Sequence, residues 1–441
     1  MSKTAIDRGR VPNSLARDLL SASTRLLNPV APTSPRRARQ FACNQSSSSP
    51  VSTGRQSVRI PTPHGSAVAV TAAELKAVPA WKNCFAAQRK DHRYYELVEQ
   101  TLAGGFEHHY LVLEDHEGRV RGVQPCFLIH QDILAGVGEG VRNAAAWVRR
   151  WFPGFLKVRV LMVGCAAGEG HLSAEGEAEA RWLAESLHGA LAVEARRQRA
   201  SLVVIKEFPR SYRAALATFS DHDYTRIPSM PMVRLELPFA SFEEYLSKKI
   251  SKVSRHSLRR KFKKLADVPP IEMQVVNDVT PYVDEVHPLY LQVFSRSKMT
   301  FEKLTKEFLC QLGQRMPERT RFFIWRQNGR AIGFSVCLVH DGAIYDEYLG
   351  LEYPLALDLH LYFVTLRDII QWAVTNGCTR YCSSALNYDP KLHLKCELAP
   401  LDLYVRHTSA WMNPFFRRLL PVLEPTHRDP TLRKFPNAHE L

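Results

Sequence analysis

The sequence predicts an α/β (α+β) fold made of two tandem halves, each with a mixed central sheet flanked by helices. Three features predict it: a meander of three strands in the second half, a long helix and a further strand that follow the meander, and a second copy of a hairpin in the first half. At 441 residues the chain is too long for one ordinary core, which agrees with two domains and terminal tails.

The meander is recognised by its turns. Asn328-Gly329 and Asp341-Gly342 each separate two strand-like runs, and such pairs accept the positive φ angles of two-residue hairpin turns. A helical pattern follows over residues 358–376, and Gly377 stands at the expected C′ position. The strand predicted over residues 379–382 completes a compact α/β unit.

A segment of the first half matches the hairpin of this meander. Gly118-Arg119 corresponds to Gly329-Arg330, and a glycine and a cysteine recur at the same spacing after each pair. A long helix over residues 177–197 and a strand over residues 201–205 follow the first copy, as a helix and a strand follow the second. The pattern indicates an internal repeat of the whole hairpin, with chance similarity between two short hairpins as the alternative.

The composition is that of a globular protein with an excess of positive charge. Hydrophobic residues make up 45% and charged residues 23%, and the formal net charge is +15. The excess implies anionic partners such as nucleotide phosphates, coenzyme A, tRNA or an anionic membrane, and much of it falls in a basic tail. No apolar run reaches the length of a transmembrane helix, so none is expected.

The cysteines and the N-terminal stretch bear on localisation. Nine cysteines are present without a C-x-x-C spacing, so we expect reduced, mostly buried thiols, no metal site and a cytoplasmic protein. Residues 1–65 are rich in Ser, Pro and Arg and nearly free of acids, which predicts a disordered basic tail. The same composition fits a mitochondrial transit peptide, which is the alternative.

A Gly-rich stretch follows the strand predicted over residues 157–163, after a basic amphipathic helix predicted over residues 141–152. The stretch from Gly164 to His171 resembles the first motif of S-adenosylmethionine methyltransferases, but Ala166 replaces the usual central glycine and no acidic strand end follows at the expected distance. It could also cradle a phosphate of coenzyme A through backbone N–H groups. The third interpretation is a tight structural turn.

A strongly basic helix is predicted over residues 239–265, after an extended crossover at residues 228–237. Its apolar stripe indicates packing, while its cations form either a solvated face or a surface toward an anionic ligand or tRNA. The basic residues are Lys248, Lys249, Lys252, Arg255, Arg259, Arg260, Lys261, Lys263 and Lys264.

The remaining expectations concern where elements begin. Ordered structure is expected from near Thr71, and helices are expected over residues 283–294 and 301–312, the second with Thr300 as N-cap. A strand is expected over residues 398–406.

The order strand, turn, strand, turn, strand, helix, strand resembles the GCN5-related N-acetyltransferase (GNAT) fold, and the surrounding sequence looks more like its FemAB-like, BioF2-like acyltransferase branch. The segments that carry the resemblance are Gly329-Arg330-Ala331-Ile332-Gly333-Phe334, residues 345–350 and Tyr388-Asp389-Pro390-Lys391. The resemblance covers roughly residues 70–410. It implies a GNAT-like domain at residues 66–235, a second at residues 236–412 that includes the basic linking helix, and a C-terminal extension at residues 413–441.

In GNAT-type enzymes the acyl donor lies between the fourth and fifth strands, where strand backbone pairs with the pantetheine arm and a helix N-terminus meets the pyrophosphate. The resemblance implies a donor strand at residues 344–351, a helix near Asp358, and acetyl-CoA or another acyl-CoA as co-substrate without a metal. The usual Gly-rich pyrophosphate loop is absent between Tyr353 and Asp358, as is frequent in the FemAB-like branch. The residues expected to bind the donor are Tyr348, Leu349, Gly350, Leu351 and Lys391.

The acceptor amine must lose a proton to attack a thioester, and a carboxylate, histidine or tyrosine can take it. Asp346 and Glu347 should point to opposite faces of their strand, with Glu347 on the face of Tyr345 and Leu349. The candidate catalytic residues are Glu347, Asp346 and Tyr404, with His340 and His360 as alternatives.

Three functions are compatible with the sequence. The first is an N-acyltransferase that transfers an acyl group from acyl-CoA to an amine acceptor, which is a small molecule, an amino sugar or a peptide. The second is a tRNA-dependent aminoacyl or peptidoglycan-related transferase of FemAB type. The third is a non-catalytic, degenerate GNAT binding module.

Overall fold

The computed structural model describes residues 58–441 except residues 103, 133–142, 144–145, 148–149, 151–156 and 298–300. The predicted tail therefore lies outside the described residues as far as residue 57, and the helix predicted over residues 141–152 lies mostly outside them.

The strands of the described chain form one sheet of eight strands and one of seven. In chain order they are β1 (Arg59–Thr62), β2 (Gly65–Val70), β3 (Glu107–Asp115), β4 (Val120–Asp132), β5 (Lys157–Val163), β6 (Leu202–Pro209), β7 (Thr225–Pro228), β8 (Met232–Glu236), β9 (Ile271–Val276), β10 (Thr320–Gln327), β11 (Arg330–His340), β12 (Ala343–Leu351), β13 (Arg380–Ser383), β14 (Glu397–Ala399) and β15 (Leu401–His407). The first sheet has the order β1-β2-β3-β4-β5-β6-β15-β7, and the second has the order β14-β8-β13-β12-β11-β10-β9.

The α-helices pack on both faces of these sheets. In chain order they are α1 (Ala72–Leu75), α2 (His92–Thr101), α3 (Glu177–Arg197), α4 (Ala217–Asp221), α5 (Phe242–Lys248), α6 (Lys252–Lys263), α7 (Val283–Arg296), α8 (Lys306–Arg315), α9 (Leu355–Asp358), α10 (Leu361–Thr375), α11 (Tyr388–His393) and α12 (Asn413–Leu419).

The turns of the meander have the predicted geometry. Asn328 and Gly329 have φ angles of 51° and 76°, and Asp341 and Gly342 have φ angles of 47° and 66°, as two-residue turns of type I′ require. Gly377, with φ 75°, ends α10 as predicted, and the following amide of Cys378 donates to Ala373 O at 2.8 Å.

The two sheets repeat one topology, which confirms the tandem arrangement. The β3–β4 hairpin is followed by β5, α3 and β6, and the β10–β11 hairpin is followed by β12, α10 and β13. In each sheet the strand after the hairpin pairs antiparallel with the hairpin, and the strand after the helix pairs parallel with that strand. The hairpins that begin with Gly118-Arg119 and Gly329-Arg330 therefore occupy equivalent positions.

Each half completes the sheet of the other half. β8, at the end of the predicted first domain, lies between β13 and β14 in the second sheet, and β15, inside the predicted second domain, lies between β6 and β7 in the first. A division of the chain near residue 235 therefore does not separate the two sheets, because the pairing of these strands is non-local.

The structure differs from the sequence prediction in where three elements begin. Ordered structure begins before Thr71, because β1 and β2 belong to the first sheet, and the predicted disordered tail of residues 1–65 is therefore too long by the residues of β1. The basic helix of residues 239–265 is two helices, because the Ser251 side chain accepts from Ser254 N and caps a new helix at Lys252. α8 begins at Lys306 because Thr305 caps it by accepting from Phe308 N at 3.0 Å, and the predicted cap at Thr300 lies outside the described residues.

Three apolar layers hold these elements together. One lies between the sheets and includes side chains of α2, α7 and α8. α3 covers the outer face of the first sheet, and α5, α6 and α10 cover the outer face of the second. The polar side chains of the central layer form the candidate site.

Candidate functional site

A β-bulge shapes the middle of β12. In its pairing with β11, Val336 faces Tyr348 and Cys337 faces Asp346, so Glu347 is the extra residue on β12. A bulge interrupts the alternation of side chains. Glu347 and Tyr348 consequently both face the first sheet, together with Tyr345, while Leu349 packs in the core on the opposite face. The expectation that Glu347 shares a face with Leu349 is therefore wrong, whereas Asp346 and Glu347 do point to opposite faces.

Beyond the bulge β12 loses its neighbour on one side. β13 pairs with β12 only from Ala343 to Asp346, and Ser384 N makes the last contact, to Asp346 O at 3.0 Å. From there to Leu351, β12 continues along β11 without a second strand beside it in the described part of the chain. The predicted donor residues Tyr348, Leu349, Gly350 and Leu351 make up this one-sided segment.

Gly350 lets α7 approach this segment closely. A Cβ atom at Gly350 would lie 2.5 Å from Tyr290 N and 2.8 Å from the carbonyl carbon of Leu289. No side chain fits there without moving α7, so this glycine fixes the distance between helix and strand.

Glu347 belongs to a buried group of four charged residues that joins the two halves. Arg89 Nε lies 2.8 Å from Glu347 Oε1, and Arg89 Nη2 lies 2.5 Å from Glu169 Oε1. Lys90 Nζ lies 3.0 Å from Glu169 Oε2 and 3.2 Å from Glu347 Oε2. All four side chains are at most 7% exposed. We call this group the ion-pair quartet.

The quartet is balanced in charge. Burial alone would lower the pKa of Lys90, but the Glu169 and Glu347 carboxylates outweigh it and raise that pKa. Burial alone would raise the pKa of Glu169, yet Arg89 and Lys90 hold it well below the ordinary value. Two cations therefore meet two carboxylates, as buried charges require. Both carboxylate oxygens of Glu347 form ion pairs, so the residue predicted to be the general base is not a free carboxylate.

The packing of Lys90 also explains why glycine occurs in the stretch from Gly164 to His171. A Cβ atom at Gly168 would lie 2.1 Å from Lys90 Nζ, and Gly170 N donates to Glu207 O at 3.1 Å. Cys165, Ala166 and Ala167 are at most 2% exposed. The contacts fit a tight structural turn built around a lysine, with its glycines used for close packing.

A second carboxylate lies next to the bulge. Tyr348 Oη donates to Glu302 Oε1 at 2.8 Å, and burial raises the pKa of Glu302 despite the opposing effects of Lys206 and of this hydrogen bond. Glu302 lines a cavity of about 310 Å³ between the halves. The other lining residues are Thr101, Leu102, Gly104, Phe106, Phe294, Phe301, Lys303 and Thr305.

Asp346 is held on the other face of β12. It accepts from the Ser335 hydroxyl and from Tyr381 Oη, the latter at 2.9 Å. Burial raises its pKa, although both hydrogen bonds favour the ionised form. Its two hydroxyl partners lie on β11 and β13, so Asp346 links β12 to both neighbouring strands. This is the role of a buried structural carboxylate.

Lys391 lies close enough to Asp346 for their charges to interact, whereas Tyr404 lies in the other sheet. Lys391 is buried on α11, and its Nζ donates to Ser384 O at 2.5 Å and to Leu386 O at 2.8 Å. Burial lowers its pKa to about 8. Tyr404 lies on β15 in the first sheet and packs against Phe219 in the core under α3, so it does not lie with the other candidate catalytic residues, Asp346 and Glu347, on β12.

Cations at the end of α6 and at the residue after it lie near the start of α10. His360 is the N-cap of α10, and burial together with the charges of Lys261, Lys264 and Arg260 lowers its pKa. Lys261 Nζ also lies 4.7 Å from the ring centroid of Phe363. The basic segment therefore brings positive charge to the N-terminal end of α10, the helix that follows β12.

Sequence reasoning missed the quartet partners and Glu302. Arg89 and Lys90 adjoin Asp91 in a short charged run, and Glu169 is the one carboxylate within the Gly-rich stretch. Their partner Glu347 is more than 250 residues from Arg89, so no local pattern connects them. Among the described residues, no group of His, Cys, Asp and Glu could hold a metal ion. The helices of the described chain include none that is both long and apolar enough to cross a membrane.

Comparison with known families places a domain in the second half. Residues 252–389 match the family model described as acetyltransferase (GNAT) domain. These residues include β12, which was predicted to bind the donor, and the helix α10 that follows it. The match supports an enzyme of the acyltransferase class with a GNAT fold.

Several solved structures resemble the chain at low identity. L-PGS from Bacillus licheniformis is 13% identical with a TM-score of 0.46, and the match covers 80% of this chain and 97% of that one. FemX is 9% identical with a TM-score of 0.44, and coverage is 70% and 90%. A tandem GNAT protein from the clavulanic acid biosynthesis pathway is 12% identical with a TM-score of 0.42, and coverage is 78% and 98%. At these values the similarities add nothing to the assignment of chemistry. No curated protein matches the chain in sequence.

Proposed function

We propose that the protein is an N-acyltransferase that transfers an acyl group from acyl-CoA to an amine acceptor, with the donor along β12. The observation that carries the proposal is the one-sided segment of β12 beyond the bulge at Glu347, within the GNAT match. Strand backbone without a neighbour can pair with an extended amide-bearing ligand. The pantetheine arm of coenzyme A is such a ligand.

The phosphates of the donor would lie near the start of α10. The Gly-rich loop that usually surrounds the pyrophosphate is absent, but Lys261, Lys264 and Arg260 act on His360 at this helix N-terminus. Cations next to a helix N-terminus favour anions. We therefore assign to α6 the charge that the missing loop would have supplied through backbone N–H groups.

The acceptor would enter the cavity beside Tyr348. Aromatic rings and the Glu302 carboxylate line this cavity, a combination suited to an amine that carries apolar groups. Glu302 would accept the proton that the amine loses as its nitrogen bonds to the thioester carbon and the bond from that carbon to sulfur breaks. The same proton can return to the departing thiolate. The raised pKa of Glu302 suits a base that works near neutral pH.

The ion-pair quartet would position the donor segment. Arg89 and Lys90 approach β12 from the first half and bind Glu347 at the bulge. These ion pairs fix the position of β12 at the point beyond which β13 no longer pairs with it. Glu347 remains a candidate base, but a proton could reach it only if one of its two cationic partners moved away.

The second candidate function is tRNA-dependent aminoacyl transfer of FemAB type. The observation in its favour is the exposed basic surface of α6, with exposed Lys252, Arg259, Arg260 and Lys263. Such a surface also fits a nucleic-acid backbone. In this case an aminoacyl ester replaces the thioester as the donor.

Two parallel measurements separate these functions. The protein is incubated with acetyl-CoA and a panel of amines, and free thiol is measured, while a parallel thermal-shift series compares acyl-CoA with aminoacyl-tRNA. Thiol release that depends on an amine, with stabilisation by acyl-CoA, supports the proposal. Stabilisation by tRNA alone, lost at high salt, would favour the second function. The absence of a response to either ligand would favour the third function, a non-catalytic binding module.

A further inference from the structure

The C-terminal helical segment holds a line of apolar side chains in solvent. Trp411, Phe415 and Val422 are 80%, 58% and 74% exposed, and neighbouring exposed side chains of this size mark interaction sites. Backbone hydrogen bonds continue the helical turns beyond both ends of α12, from Asn413 N to Ser409 O and from Leu423 N to Leu419 O.

Helical spacing puts these side chains on one face. Phe415 follows Trp411 by four residues, exposed Arg418 follows Phe415 by three, and Val422 follows Arg418 by four. Residues three and four apart are neighbours on a helix surface. We call Trp411, Phe415, Arg418 and Val422 the C-terminal stripe.

The opposite face of the segment is firmly attached. Asn413 is 5% exposed; its Oδ1 accepts from His407 N at 2.8 Å, and its Nδ2 donates to Asp223 O at 2.8 Å. The Phe416 ring lies 4.9 Å from the His407 ring. The helix is therefore fixed, and the stripe points away from the core because other residues fill the inner side.

Exposed arginines occur on the stripe and at the end of α3 that its segment contacts. Arg418 is part of the stripe, and Thr408 Oγ1 donates to Ala200 O at 3.1 Å, which brings the start of the segment beside the end of α3. Arg196 and Arg199 are exposed at that end. Exposed aromatic and aliphatic side chains flanked by arginines are typical of segments that lie in a membrane interface.

We propose that the C-terminal stripe docks on an anionic phospholipid surface, with its apolar side chains among the acyl chains and its arginines on lipid phosphates. Charge complementarity favours this occupant, since Arg418 lies within the stripe and Arg196 and Arg199 are exposed at the adjoining end of α3. A second copy of the chain fits less well. A stable interface buries about 800 Å² on each partner, and three side chains, even when fully exposed, supply less.

Co-sedimentation of the full chain with vesicles tests the proposal. The vesicles are phosphatidylcholine alone or with phosphatidylglycerol, and the variants are Trp411→Ser with Phe415→Ser, Arg418→Glu, and the control Leu357→Ser, which is 67% exposed outside the stripe. We expect the double variant to bind anionic vesicles about a hundredfold more weakly and Arg418→Glu to lose the preference for them, with the control and all melting temperatures unchanged. Equal binding by the wild type and the double variant, or no binding by the wild type, would overturn the proposal. A wild-type dimer that the double variant dissociates would also overturn it, by assigning the stripe to a second copy.

Discussion

Arg89 Nε lies 2.8 Å from Glu347 Oε1, so a residue that precedes α2 in the first half binds the bulge of β12 in the second. Glu347→Gln removes one carboxylate of the quartet and leaves Arg89 and Lys90 facing Glu169 alone. We expect a loss of about 3–5 kcal/mol in the free energy of unfolding, the usual cost of breaking a buried ion pair. Denaturant unfolding measures it.

Glu352→Gln is the matched control for this change. Glu352 pairs with Arg330, whose side chain is 74% exposed, so its loss should cost less than about 1 kcal/mol. If Glu347→Gln instead keeps wild-type stability and loses about 10²–10⁴-fold in turnover, Glu347 is the base and not a structural partner.

Glu302→Gln should act on turnover. We expect kcat/KM to fall about 10²–10⁴-fold with little change in the affinity for acyl-CoA. Because burial raises the pKa of Glu302, the wild-type rate should rise with pH through a step above the ordinary glutamate range, and the variant should lack that step. Exposed Glu307 on α8 provides the control Glu307→Gln. An unchanged pH profile in Glu302→Gln would exclude this carboxylate as the base.

Gly350→Ala should weaken both the fold and donor binding. The new Cβ would meet Tyr290 N at 2.5 Å, and the backbone of α7 must move to make room, which typically costs about 1–3 kcal/mol. Gly333→Ala on the neighbouring strand is the comparison, since its Cβ would meet only the Trp325 side chain at 3.4 Å or more and Leu351 beyond it. Equal melting temperatures for the two variants would contradict the assigned packing.

Lys391 should make stability depend on alkaline pH. Burial lowers its pKa to about 8 from 10.5, so between these values the unfolded chain binds more protons than the folded one. Stability therefore rises with pH across that window, by on the order of 3 kcal/mol at about 1.4 kcal/mol per pKa unit. Lys391→Met should remove this rise and exposed Lys82→Met should keep it, as measured by denaturant unfolding at pH 7.5 and 10. A rise that survives in Lys391→Met must come from other groups.

Local turn chemistry made the meander predictable. Asn328-Gly329 and Asp341-Gly342 set the turns by their own backbone preferences, and Gly377 ended α10 for the same reason. The break between α5 and α6 was also within reach, because Ser251 is an N-cap residue inside the charged run.

Non-local pairing was beyond prediction. The exchange of β8 and β15 between the sheets depends on contacts between distant segments. The bulge at Glu347 arises from its register with β11 and leaves no mark in the alternation of residues 343–351. The burial of Lys90 against Gly168 likewise exists only in the folded chain.

We propose that acyl-CoA binds along the one-sided segment of β12. Hydrogen exchange with and without acetyl-CoA, read by mass spectrometry on the full chain, tests it most directly. We expect slower exchange in Glu347–Leu351, at the start of α10 and after Ser383, with no change in the Gly-rich stretch of the first half. Saturating acetyl-CoA that leaves exchange in Glu347–Leu351 unaltered, or protects the first-half stretch instead, would contradict it.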